Sequence, residues 1–442
     1  MGVTDYQSGS ITRSFNELQR IPKLELQSLD YALPPSKSHM IRVLALSAIN
    51  HGVCKIRYSG VLGEDIKSMI NSIQSIGVKI TIQHNKYETA VMIKGVGSAG
   101  FSASESAVVD CGNSGTALRI VMGLVSSMNN KVTIVGDESL SSRDNESMIN
   151  SLLDANVSVE KNSNNNLPIN IQGPWFNGGE IDKVVTLDCT NSSQPLTSWM
   201  ISSSLFPCNV DLKIVGARVS NRHYLLTKEL CNKYGAAISE TDSGYRLNQW
   251  KVSLPNEIVI PGDSSMASFA ILLTKLHSCK ILLSNWPDIN DALGNEILFD
   301  SSDNLGISWQ NDLIMNLNEG KFANYDLTDC SDLITPLAAI LALGSGGEIT
   351  GISHTVFKES NRIKRTVELM ASFGLEAIFS DQKITIKGGQ KLTKPHSKID
   401  CHNDHRLFMT AAILLTKCGG DLIGKGLHSV ADVDFLNRLG IE

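Results

Sequence analysis

The chain has 442 residues, of which 42% are hydrophobic and 19% charged, and a net charge of −6. That balance excludes collagen, coiled coil and extended disorder, and an acidic total argues against a nucleic-acid binder, whose contact surface is basic. The length exceeds what one hydrophobic core organises, so two domains of roughly 200 residues each are predicted.

The start, Met1 to Phe15, is polar and lacks an apolar h-region, so no signal peptide is expected. Tyr6 stands where N-myristoylation requires Ser or Thr. The longest apolar runs, such as Leu337 to Leu343, are too short to cross a bilayer. Nine cysteines without a CxxC pair read as reduced thiols rather than a disulfide frame or a zinc site. A cytoplasmic location, no metal, no cofactor, no membrane or nucleic-acid partner, and a monomer are therefore the expectations.

From Lys37 onward two helical patterns alternate six times. Lys37-Ser38 opens the apolar run Met40 to Ile49, and an amphipathic stretch follows from Asp65 to Val78. Gly112 to Thr116 opens Ala117 to Val125, followed by Asn145 to Val157. Ser192-Ser193-Gln194 opens Leu196 to Leu205, followed by Arg222 to Ala236. Gly262 to Ser265 opens Met266 to Leu273, followed by Asn295 to Ile307. Asp329 to Asp332 opens Leu333 to Leu343, followed by Arg362 to Leu375. Asn403 to Arg406 opens Leu407 to Leu415, followed by Asp434 to Ile441.

The first member of each pair is apolar all round, which predicts a helix buried on every side, and its polar opening supplies N-caps. The second member has one apolar stripe and closes on Gly77, Asn156, Gly235, Gly306, Gly374 or Gly440. Gly and Asn take the left-handed helix C-cap at least cost. The closing residues recur roughly every 65 to 80 residues, longer than a solenoid repeat. Six copies, three per domain, would wrap sheets around buried helices whose N-termini can share one anion-binding place.

The polar openings carry the candidate chemistry. Lys37, Ser38 and Arg42 put a mobile point charge and a planar fork at a helix start, suited to phosphate and carboxylate. Asp110 to Thr116, with Asn113 and Gly115, is a turn through which backbone can approach a phosphate, and Arg119 follows about one helical turn later. Arg143 precedes an amphipathic helix. Ser192, Ser193 and Gln194, with Ser220 further on, gather hydroxyls at another helix start. Asp332 is followed by Lys358-Glu359 and Arg362, and Arg406 closes the series. Taken singly, each is matched by ordinary capping or a solvated charge.

Taken together and in order, these motifs resemble the 3-phosphoshikimate 1-carboxyvinyltransferase (5-enolpyruvylshikimate-3-phosphate synthase) family of enolpyruvyl transferases, from about Leu33 to Asp404 and more weakly beyond. The resemblance implies an α/β fold of two domains, each of three βαβαββ repeats around buried helices, the enolpyruvyl transferase inside-out barrel. It implies chain crossings near Pro35 and Pro261, hence one domain of residues 1–35 plus 262–442 and another of 36–261, with the active site in the interdomain cleft. The implied activity moves the enolpyruvyl group of phosphoenolpyruvate to the 5-hydroxyl of shikimate 3-phosphate. The implied acceptor contacts are Lys37, Ser38, Arg42, Ser192, Ser193, Ser220, Asp332 and Lys358. The implied phosphoenolpyruvate contacts are Lys37, Asn113, Gly115, Arg143, Gln194, Glu359, Arg362 and Arg406. Asp332, Glu359 and Lys37 are the expected proton carriers, because the same groups must act as acid and base in turn.

The match departs at several positions. Asp432 stands where the family carries a lysine that contacts phosphoenolpyruvate, and an acid there would repel phosphate. Asn361, His223, His354, Ile41 and Asp144 also replace more usual residues. These departures leave two alternatives: a sister transferase acting on another phosphorylated alcohol, such as a nucleotide or sugar, and a catalytically impaired paralogue. The cell-wall sister fits less well, since its loop cysteine is missing from Val135 to Glu146. An RNA-end-processing relative fits poorly with the charge balance.

Overall fold

The computed structural model describes residues 16–84, 89–161, 167–179, 181–216 and 218–441. The polar start, Met1 to Phe15, lies outside the described residues. The described chain divides into two compact units, one of residues 37–59 and 64–260 and one of residues 16–36, 60–63 and 261–441.

Each unit is built three times over from one plan. A strand leads through a buried helix to a second, parallel strand; a surface helix follows, and a hairpin places the fourth strand antiparallel to the second. In the first unit the middle copy has Ala107–Asp110 parallel to Val132–Val135, which pairs with Ile169–Gln172 and, beyond it, Ser158–Lys161. The copy starting at Lys183–Asp188 has the same order, with Val210–Val215, Gly244–Leu247 and Ser239–Thr241. The remaining copy closes the unit on itself: its first strand, Glu257–Val259, comes from the end of the unit and pairs with Val53–Tyr58 from its beginning. The second unit uses the same device, since Ser28–Ala32 pairs with Lys280–Ser284. In its last copy, Ile399–Asp400, Gly420–Ile423 and Leu18–Ile21 form three strands only, so the chain's early strand takes the fourth place.

The six all-apolar runs form the six buried helices: Lys37–Ile49, Gly115–Val125, Gln194–Ser202, Ala267–His277, Ile334–Leu343 and His405–Cys418. They bury serines and threonines as well as aliphatic side chains, because small hydroxyls return hydrogen bonds to their own helix. Ser126 and Thr416 donate to the carbonyls of Met122 and Ile413. Gly123 marks the closest approach of two of them: a Cβ there would lie 2.3 Å from Ser202 Oγ and 2.5 Å from Ser198 Oγ.

The amphipathic stretches form the surface helices, including Glu64–Ser75, Glu146–Asp154, Asn221–Lys233 and Arg362–Ser372. All six expected closing residues have positive φ, from 59° at Asn156 to 118° at Gly235. The stretch from Asn295 to Ile307 is broken into two short helices, Ile297–Asp300 and Ser302–Leu305. Its consecutive Ser301 and Ser302 compete for backbone hydrogen bonds and so weaken a continuous helix.

The parallel strands end in a common turn. The carboxylates of Asp110, Asp188, Asp326 and Asp400 each accept the backbone N–H two residues on, at 2.8 Å. This Asx turn carries the chain from strand end to buried helix, so the polar openings are presented in equivalent places in successive repeats. Within the second unit, the segments ending at Ser36 and beginning at Pro261 run side by side, with the Ser36 N–H donating to the Pro261 carbonyl at 2.8 Å.

Three histidines of the second unit, His277, His354 and His428, are held down to about 4, chiefly by burial. His428 stacks on Phe408 with ring centroids 5.7 Å apart and lies 6.2 Å from Phe435. Their folded-state pKa lies below the ordinary value of 6.5, so below that pH the unfolded chain binds protons that the folded chain refuses. Stability should hold above pH 6.5 and fall as pH drops toward 4. Urea midpoints between about pH 7 and 5 should decline, and His428→Phe should flatten the decline; an unchanged slope in the variant contradicts the assignment.

Candidate active site

In the first unit the openings of three buried helices interlock. Arg42, on the Lys37–Ile49 helix, is 1% exposed. It donates from Nη1 to the Ser38 carbonyl (2.8 Å), from Nε to Thr227 Oγ1 (2.8 Å), and from Nη2 to Thr197 Oγ1 (3.2 Å) and the His223 carbonyl (3.0 Å). One guanidinium thus fixes the Ser38 turn against the Gln194–Ser202 helix and the Asn221–Lys233 helix. Ser193 Oγ donates to the carbonyl of Ser220 at 3.3 Å. Ser220 itself holds a left-handed conformation, φ 54° and ψ 50°, a strained choice for a non-glycine residue that tends to mark functional turns.

The second opening is set by Ser114, whose side chain accepts the Ala117 N–H at 3.3 Å. Arg119 reaches back from the first turns of this helix: Nη1 donates to the Gly115 carbonyl at 3.2 Å and to Gln194 Oε1 at 2.6 Å, and Nη2 to the Asp144 carbonyl at 2.6 Å. Gln194 Nε2 donates to Thr116 Oγ1 at 3.0 Å. Arg143 Nη2 donates to Asn113 Oδ1 at 2.8 Å, and Asn113 Nδ2 to Asp137 Oδ2 at 2.6 Å. Gly115 sits where these groups meet: a Cβ there would lie 2.8 Å from Arg119 Nη1, 3.0 Å from Arg143 Nη1 and 3.4 Å from Gln194 Oε1. Lys37 Nζ lies 2.9 Å from Asp65 Oδ2.

The charge balance of this half is unusual. Arg42 and Arg119 donate to hydroxyl, amide and carbonyl oxygens, not to carboxylates. Burial lowers both to about 10, aided at Arg119 by Arg143, so they remain cationic at neutral pH. Asp144 offsets part of the charge at Arg119, and positive charge otherwise balanced by dipoles favours an anion.

In the second unit the arginines are instead held by carboxylates. Arg362, 1% exposed, donates from Nε to Asp404 Oδ2 (2.9 Å), from Nη1 to Asp332 Oδ1 (2.6 Å) and from Nη2 to Glu359 Oε2 (2.6 Å). Burial works against its charge, but Asp404, Glu359 and Asp332 outweigh that and hold it protonated well above the ordinary arginine value. Arg406, equally buried, donates from Nη2 to Asp332 Oδ2 (2.9 Å) and Ser265 Oγ (3.0 Å), and lies over the Phe269 ring at 6.0 Å. Its Nε is buried without a hydrogen-bond partner among the described residues, a donor left for an incoming oxygen. Asp332 therefore bridges both arginines. Its side chain remains 32% exposed, against 11% for Glu359. Lys358 adjoins Glu359 in the chain, and His354 lies close enough to Lys358, Asp332 and Arg362 to feel their charges.

Ten of the expected residues, Lys37, Ser38, Arg42, Asn113, Gly115, Arg143, Ser192, Ser193, Gln194 and Ser220, fall in the first unit. Asp332, Lys358, Glu359, Arg362 and Arg406 fall in the second. Asp404 and Asp65 were missed as partners. Asp404 lay within the Asn403 to Arg406 opening and is the N-cap that accepts the Arg406 N–H at 2.9 Å, so its sequence signal was that of a cap. Asp65 carried only the signal of an acid in a first helical turn.

The environment of Asp432 differs from the expectation. Its carboxylate takes a two-pronged pair from Arg438, at 2.8 and 3.2 Å, and Arg438 lies over the Tyr31 ring at 4.4 Å. Burial pushes the Asp432 carboxyl up and Arg438 opposes it. The acid is matched inside its own repeat and is only 1% exposed, so it does not stand as a bare charge toward a phosphate.

Comparison with known proteins agrees with this architecture. The profile of the EPSP synthase (3-phosphoshikimate 1-carboxyvinyltransferase) family matches residues 28–430. A 3-phosphoshikimate 1-carboxyvinyltransferase from Methanobrevibacter smithii is 27% identical over 434 residues, covering 92% of this chain and 95% of the relative. One from Tolumonas auensis is 27% identical over 392 residues, covering 86% and 88%. Among solved structures, an EPSP synthase from Acinetobacter baumannii superposes with a TM-score of 0.72 at 20% identity, covering 96% of this chain and 97% of that one. The enolpyruvyl transferase NikO from Streptomyces tendae gives 0.70 at 11% identity, covering 96% of each chain. With the profile matching most of the chain, residues 28–430, the chain belongs to the EPSP synthase (3-phosphoshikimate 1-carboxyvinyltransferase) family.

Proposed function

We propose that the chain transfers the enolpyruvyl group of phosphoenolpyruvate to the 5-hydroxyl of shikimate 3-phosphate, releasing inorganic phosphate. The observation that carries this reading is the bridging of Arg362 and Arg406 by Asp332, with Glu359 on the same Arg362 guanidinium. Two carboxylates fixed by buried cations can exchange protons without moving, and the cations hold an anionic substrate beside them.

In addition, the acceptor oxygen bonds to the central carbon of phosphoenolpyruvate while its proton leaves, and the methylene carbon gains a proton. In elimination, the bond from central carbon to phosphate oxygen breaks, the methyl carbon loses a proton and the double bond is restored. Asp332 and Glu359 carry these protons. Lys37 serves the acceptor oxygen and the departing phosphate. Arg143, Arg362 and Arg406 bind the phosphoenolpyruvate anion, together with Asn113, Gly115 and Gln194 at their helix starts. Ser192, Ser193, Ser220, Ser38 and Lys358 bind the acceptor, and Arg42 keeps the Ser38 turn in place for it.

A catalytically impaired paralogue drew its support from Asp432, and the Asp432–Arg438 pair removes the repulsion on which that support rested. Purified protein given both substrates should release phosphate only when both are present. Release with another phosphorylated alcohol, and none with shikimate 3-phosphate, would assign the chain a different acceptor.

Two variants test the roles. Asp332→Asn removes a countercharge from two buried arginines, so it should lower the unfolding free energy by about 1 to 3 kcal/mol while keeping one cooperative urea transition, and lower kcat by about 100-fold or more; near-normal turnover removes Asp332 from the proton path. Gly115→Ala inserts a methyl group against Arg119 and Arg143. It should raise KM for phosphoenolpyruvate by about tenfold with a smaller change in KM for the acceptor; an unchanged KM for phosphoenolpyruvate places its phosphate elsewhere.

A further inference from the structure

We propose that Asp65 is the positioning residue for Lys37, an inference that rests on the role given to Lys37 above. Asp65 lies in the first turn of the Glu64–Ser75 helix and Lys37 begins the Lys37–Ile49 helix, both in the first unit. Asp65 is 6% exposed, and its Oδ2 is 2.9 Å from the Lys37 ammonium. Its other oxygen, Oδ1, is buried with no hydrogen-bond partner among the described residues.

That half-used state separates Asp65 from the two ordinary reasons for an acid at a helix start. A capping carboxylate spends an oxygen on a backbone N–H, as Asp404 and Asp137 do. A structural ion pair spends both oxygens, as Asp432 does on Arg438. Leaving a carboxylate oxygen buried and unsatisfied costs stability, and a fold with no use for it would replace it. The arrangement suits a group whose task is to hold the ammonium in one place, with a ligand hydroxyl or a water completing the second oxygen. Arg42 fixes the turn that carries Lys37, and Asp65 fixes the side-chain end. Together they set the lysine's root and its tip.

The test has two arms on the full-length protein. In ligand-free protein, acetic anhydride labelling read by peptide mass spectrometry should modify Lys37 several-fold more in Asp65→Asn than in wild type, because the side-chain end loses the carboxylate that holds it in place. Asp65→Glu, which keeps the charge, should label close to wild type. Equal labelling of Lys37 in wild type and Asp65→Asn overturns the proposal. In turnover, Asp65→Asn should lower kcat by about tenfold or more, while adding it to Lys37→Met should cost less than about twofold further. An equal loss in both backgrounds assigns Asp65 a role independent of Lys37 and also overturns the proposal. Absence of turnover by wild type would count against the transferase reading, and the labelling arm would still decide the place of Asp65.

Discussion

A guanidinium removed from water must be balanced by something, and the choice of balance organises this molecule. Arg42, Arg119 and Arg406 are buried near the openings of buried helices, and Arg362 is buried at the start of a surface helix. An uncompensated buried charge costs several kcal/mol, so none of these positions tolerates loose packing around it. The repeated Asx turns at Asp110, Asp188, Asp326 and Asp400 deliver four of the six openings in a fixed geometry. The buried helices are apolar because their bodies are core, and their polar openings gather the charged side chains.

The two units solve the balance differently. In the first, dipoles do it: hydroxyls, amides and carbonyls surround Arg42 and Arg119, and the excess positive charge is left for a ligand. In the second, carboxylates do it: Asp332, Glu359 and Asp404 surround Arg362, and Asp332 extends to Arg406. One half is thereby suited to attract phosphate and carboxylate groups. The other is suited to hold proton-carrying carboxylates at fixed distances. Enolpyruvyl transfer requires both, because its substrates are anions and its chemistry is proton movement.

Much of this was legible in the residue pattern. Runs apolar on every face, such as Ile334–Leu343, can only be buried helices, and the closing Gly or Asn residues all took the left-handed cap. Periodicity specifies which face is buried but not which loop charge meets which. Hence the pairing of Asp65 with Lys37, and of Asp404 with Arg362, was invisible: the partners lie 28 and 42 positions apart. The splitting of the Asn295 to Ile307 stretch was hidden because its apolar spacing is helical while its central serines prefer turns. Asp432 was the most misleading position, since string comparison showed a lost cation but not the arginine six residues on that matches the acid.

Enolpyruvyl transfer from phosphoenolpyruvate to shikimate 3-phosphate passes through a ternary complex with both substrates bound. Its most direct test is the dissociation constant of phosphoenolpyruvate measured by calorimetry with and without saturating shikimate 3-phosphate. Such a complex predicts tighter binding by at least about fivefold in its presence, and loss of that gain in Lys37→Met and in Asp332→Asn alike. An identical dissociation constant under both conditions would contradict a ternary complex and with it the proposed transfer.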